Sequence, residues 1–109
     1  MLRTLSRMRR AKREAAGRHG RIDVPLPSGR ILAALSASGH RATEIERSGS
    51  YDRLLSAAER LAEIGAEQSV LQVPQPHMAL AAQAMRQVGV PGTVKNMSGS
   101  RRIRVRPPR

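Results

Sequence analysis

The 109-residue sequence has no cysteine, tryptophan or phenylalanine, and a single tyrosine, Tyr51. Without cysteine, disulfides, thiolate metal centres and cysteine nucleophiles are excluded. Without aromatics there is no platform for unstacked bases, so recognition in the manner of RNA-binding sheets or single-strand binders is disfavoured. No apolar run approaches the roughly 18 residues of a membrane span, and no apolar stretch follows the basic start as a secretory signal requires. Acid is scarce as well. There are 8 Asp+Glu against 20 Lys+Arg, for a formal net charge of +12. A balance that basic implies anionic partners.

The excess belongs to the ends. Up to residue 21, Arg3, Arg7, Arg9, Arg10, Lys12, Arg13, Arg18 and Arg21 face Glu14 alone; from residue 95 onward, Lys95, Arg101, Arg102, Arg104, Arg106 and Arg109 face no acid. Between them, six arginines meet seven acids. Length and charge together suggest one domain, divided into a basic arm (1–20), an α+β core (21–106) and a basic tail (107–109). The first 13 residues also have the Arg-rich, acid-free composition of a mitochondrial transit peptide.

Alternation of Ile22, Val24 and Leu26 predicts a strand from Arg21 to Pro27. Ser28 then suits a helix cap, with Ile31, Leu32 and Leu35 as an apolar stripe closed by Gly39. A strand over Arg41–Arg47 follows. Ser50 and Gly65 bracket a helix whose stripe is Tyr51, Leu54, Leu55, Ala58, Leu61 and Ala62. Gln68–Val73 is a short apolar strand, and Pro76 opens a helix carrying Met78, Ala81, Ala82, Met85 and Val88 up to Gly89. Two strands, Thr93–Met97 and Arg102–Arg106, flank a turn at Ser98-Gly99-Ser100.

Shifted by 50, the chain matches itself at Ala34/Ala84, Gly39/Gly89, Thr43/Thr93 and the Ser-Gly-Ser triplets at Ser48 and Ser98, which suggests an internal duplication. Shared helix-glycine-strand grammar is the competing explanation. The expected fold is a single α+β domain in the order βαβ-α-βαββ, with a mixed sheet and helices packed on it.

Two features point to function. In the arm, Leu2, Leu5 and Met8 recur every three residues among arginines, giving a helix with a narrow apolar edge and a broad cationic face. Such an arm suits phosphates, an acidic protein groove or an acidic membrane surface, of which phosphates fit best. In the last strand Arg102, Arg104 and Arg106 share one face, at roughly 6.7 Å spacing, while Ile103 and Val105 point inward. Cross-strand pairing of these arginines with Glu44 and Glu46 is the alternative.

Catalysis has little support. His19, His40 and His77 are scattered without carboxylates at triad or ligand spacing, Asp52 suits the first turn of its helix, and Glu59 and Glu63 read as a solvated face that can pair with Arg60. The reading is therefore a non-catalytic protein, needing no cofactor or metal, that binds DNA or RNA backbones. It would use Arg3, Arg7, Arg9, Arg10, Lys12, Arg13, Arg18, Arg101, Arg102, Arg104 and Arg106, within a larger assembly or homo-oligomer and away from membranes. The alternative is a structural subunit of a virion or ribonucleoprotein particle, with basic arms lying on neighbouring protein subunits.

Overall fold

The structure, a computed structural model, describes residues 2–108, with side chains from residue 7 onward. Arg109 of the expected tail, and the side chains of Leu2, Arg3 and Leu5 in the arm, lie outside the described residues.

Among the described residues, three helices and six strands form in the order α1 (Leu2–Ala16), β1 (Arg21–Pro25), β2 (Ile31–Leu35), β3 (Arg41–Ile45), α2 (Tyr51–Ile64), β4 (Gln68–Gln72), α3 (Met78–Val88), β5 (Gly92–Lys95) and β6 (Arg102–Val105). The strands make one mixed sheet in sequence order, β1-β2-β3-β4-β5-β6. Pairs β1/β2, β2/β3 and β5/β6 are antiparallel; β3/β4 and β4/β5 are parallel and joined through α2 and α3. The chain is thus an α+β domain with a mixed sheet and packed helices, as composition and periodicity predict.

Helix α2 follows its sequence signals closely. Ser50 is extended, and its side chain accepts from the Arg53 N–H; Gly65, at φ 59°, ends the helix by donating to the Leu61 carbonyl. Leu54, Ala57, Ala58 and Leu61 are buried. Pro76 lies in a 3₁₀ turn over Gln75–His77 that leads into α3, whose Met78, Ala81, Ala82 and Met85 are buried. Helices α2 and α3 pack on each other and on one face of the sheet, and their stripes meet Leu71, Val73, Val94 and Val105 from the strands.

The expected first helix is a strand. Ile31–Leu35 forms β2, so β1, β2 and β3 make an antiparallel meander in place of a βαβ unit. Leu32, Ala33, Ala34 and Leu35 are all buried, because this part of the sheet is covered on both sides. A strand buried on both faces has a continuous apolar run, which mimics a helical stripe at i, i+1 and i+4. Ser28 does not cap a helix; it lies in the turn between β1 and β2, closed by Gly29 N–H to Leu26 O at 2.9 Å.

The halves aligned by the shift of 50 therefore differ: β2 falls opposite α3. Gly39 and Gly89 match because a hairpin turn and a helix end both need a left-handed residue, φ 78° and 87° respectively. The competing helix-glycine-strand grammar does not hold in the first half either, where a strand precedes Gly39; the matched glycines share only their left-handed backbone.

Helix α1 covers the sheet face opposite α2 and α3. It packs across β1, β2 and β3, where Ala16, Ala34, Thr43 and Ile45 are buried outside the main core. The sequence-expected arm is thus continuous with the fold from Met8 to Ala16.

Candidate nucleic-acid interface

The site begins with the alternation of β6. Ile103 packs on the core, Val105 is buried, and Arg102 and Arg104 project to the other side, exposed. Register extends this side inward. Arg104 lies opposite Thr93 and Arg102 opposite Lys95 on β5; Thr93 and Lys95 lie beside Val70 and Gln72 on β4; and Gln68 lies beside Arg41 on β3. Since side chains two apart share a face, these residues form one surface with a polar and basic character. Helix α1 covers the β1–β3 half and leaves the β4–β6 half open. The opening is a trough that includes a cavity of about 460 Å³ lined by Arg41, Gln68, Thr93, Arg102 and Arg104, with Glu67 at one end.

Helix α1 borders the open half from its seat on β1, β2 and β3. Met8, Ala11, Lys12, Ala15 and Ala16 are its less exposed residues, spaced to face the sheet, and the alanines let the helix lie close. Lys12 bonds Asp23 of β1 at 2.7 Å, and Arg13 reaches the Gly20 carbonyl at 3.4 Å. Arg47, after β3, donates to the Met8 sulfur at 3.2 Å. With Lys12 turned toward β1, helical geometry turns the opposite flank, carrying Arg7 and Glu14, toward β4 and the trough. Arg9, Arg10 and Arg13 are exposed, as is Arg18 in the turn that follows.

The trough gathers positive charge with little to neutralise it. Burial, and then the charges of Arg102 and Arg41, lower the Lys95 pKa below the usual lysine value, with Glu14 opposing. Arg101, Arg102, Arg104 and Arg106 have no carboxylate within 4.0 Å among the described residues. The alternative pairing with Glu44 and Glu46 is overturned by strand order, since β4 and β5 separate β3 from β6. Glu44 instead points toward α2. It accepts from Arg60 Nε at 2.8 Å and from the Ala33 N–H at 2.6 Å, and Arg60 Nη2 lies 2.7 Å away. Glu46 accepts from the Ser48 N–H at 3.0 Å.

The remaining acids also differ from a freely solvated helix face. Glu59 pairs with Arg30 at 3.0 Å, and Glu63 accepts from the Ser28 N–H and hydroxyl at 2.8 and 2.6 Å, so both fasten the β1–β2 turn to α2 rather than engaging Arg60. His40 bonds Glu67 at 2.7 Å on an exposed edge, while His77 lies at the start of α3. Among the described residues, no three carboxylates or imidazoles come together as a metal-ligand set, and no helix is long and apolar enough to cross a membrane.

Of the residues singled out in the sequence, Arg102 and Arg104 meet in the trough, and Arg7, Arg9, Arg10 and Arg13 are exposed on α1. Lys12 is engaged with Asp23. Lys95 and Arg41 join the site without having been singled out: only the β3-β4-β5-β6 register brings residues 41, 95 and 102 together. The alternation of Thr93 and Lys95 was the one visible signal.

Fold and site together define a small mixed-sheet α+β protein with one cationic, open sheet face. Compared with protein-family models, curated proteins and solved structures, the chain matches none.

Proposed function

We propose that the protein binds the phosphate backbone of nucleic acids, without catalysis and without sequence preference, as a packing or scaffolding component of a larger assembly. The observation that carries this reading is the open sheet face, where Lys95, Arg102, Arg104 and Arg41 crowd together beside α1 with little acid to balance them. Like charges held this close favour an anionic ligand, and arginine presents a fork of donors suited to phosphate. On the trough floor Gln68 and Thr93 offer hydrogen bonds but no stacking surface, which suits backbone contact and not base readout.

The alternative, basic arms threading between protein subunits, calls for an arm free to leave its own core. The packing of α1 on β1–β3 weighs against it.

Titration of duplex DNA, structured RNA and single strands at two salt concentrations tests the reading. Binding should weaken steeply with salt, by roughly 0.9 log units per decade for each phosphate contacted. Absence of binding to all three at low salt would refute it.

A further inference from the structure

We infer that the nucleic acid this face takes is duplex DNA in the B form, with α1 seated in the major groove and one flanking backbone lying in the trough between α1 and β6. The inference rests on the phosphate-backbone reading above and adds the kind of nucleic acid and its pose.

The first ground is shape. Helix α1 is 15 residues long and packs on β1, β2 and β3, and on the same side of the sheet β4, β5 and β6 carry the cationic residues. A helix with its side chains is about 10–12 Å across, and the B-form major groove is about 12 Å wide. Strands lie about 4.8 Å apart, so β4, β5 and β6 lie roughly 5–15 Å to the side of β3, beneath the line a flanking backbone would follow. Lys95 and Arg102 are directly opposed there, and Arg104 is two residues further along. A single backbone ridge thus meets cations from two strands, while Arg10 and Arg13, exposed on α1, extend to the phosphates that border the groove.

The second ground is exclusion of the other nucleic acids. The major groove of A-form RNA is deep and narrow and does not admit a helix. Single strands bind tightly where bases stack on aromatics, and the trough has none. Tyr51 lies on α2, on the far face of the sheet, and donates its hydroxyl to Gln87 of α3. A duplex keeps its bases stacked on one another and needs no such platform.

The test compares a DNA duplex of about 20 bp, two helical turns, with an RNA duplex and a DNA single strand of the same sequence. Binding is read by fluorescence anisotropy at several salt concentrations. DNA duplex should bind about tenfold or more tightly than either, because only its groove admits α1. Arg10→Ala/Arg13→Ala and Arg102→Ala/Arg104→Ala should each lower the magnitude of the salt slope by about 2, since each arginine lost is about one phosphate contact. All four positions are exposed, and a thermal melt checks that each variant is folded. Dimethyl sulfate methylation of guanine N7, which lies in the major groove, should be suppressed where the protein sits. Equal or tighter binding to RNA duplex or single strand, or unprotected N7, would overturn the inference while leaving backbone binding intact. No binding to any of the three at low salt would bring down both.

Discussion

At the scale of single residues, Glu44 is the most constrained charge in the molecule. It is 3 % exposed, lies between the sheet and α2, and takes the place of a backbone acceptor for the Ala33 N–H. Burial raises its pKa above the usual carboxylate value, and the bonds from Arg60 and Ala33 only partly offset this. The folded state therefore holds the Glu44 proton more tightly than the unfolded chain does. Its contribution to stability is greatest below the unfolded pKa and declines as pH rises through the folded one. Wild type should accordingly gain stability relative to Glu44→Gln as pH falls toward the ordinary carboxylate range, measured as the difference between their urea midpoints. Exposed Glu63 runs the other way: bonds from Ser28 lower its pKa, so what it contributes is lost as pH falls through that lowered value. Removing the partner of Glu44 is a stronger perturbation. Arg60→Met leaves a buried carboxylate with the Ala33 N–H as its remaining donor, and chemical denaturation should register a loss of about 3 kcal/mol or more.

At the scale of elements, legibility followed the number of faces each element buries. Helix α2 buries one stripe between a serine cap and a left-handed glycine, and all of those features are written locally. Strand β2 is buried on both faces, so its consecutive Leu32-Ala33-Ala34-Leu35 carries no period, and only its neighbours reveal it as a strand. The arginines of β6 were legible by alternation, yet Lys95 and Arg41 joined them only through register across four strands, which no local pattern encodes. Helix α1 shows a related gap. Its arginines announce a cationic face and Met8 its apolar edge, but the rest of the docking surface is alanines and Lys12, which carry no apolar signal until the sheet is present. The turn at its end is tight: a Cβ on Gly20 would lie 2.1 Å from the Ala16 carbonyl oxygen. Gly20→Ala should force this turn apart, cost about 1–3 kcal/mol, and raise hydrogen exchange in α1 more than in α2 or α3. Removing residues 1–20 should uncover Ala34, Thr43 and Ile45, seen as increased binding of a hydrophobic dye.

At the scale of the whole molecule, charge is sorted by face. Among the described residues, four acids are engaged with basic side chains, three of them on or around the α2 side or its edges, while the open face collects lysine and arginine. Both sheet edges also resist pairing with another sheet. β6 carries alternating arginines and runs into Pro107-Pro108, and β1 contains Asp23 at φ 51° and ends at Pro25. The isolated protein should therefore be monomeric in sedimentation experiments, with higher assemblies forming along nucleic acid. The central claim is that the face around Lys95 contacts phosphates, and it is tested most directly by the salt dependence of duplex DNA binding for wild type and for Lys95→Ala/Arg102→Ala/Arg104→Ala. Loss of those three contacts should lower the magnitude of the slope of log K against log salt by about 2–3; a folded triple variant with unchanged slope and affinity would contradict it.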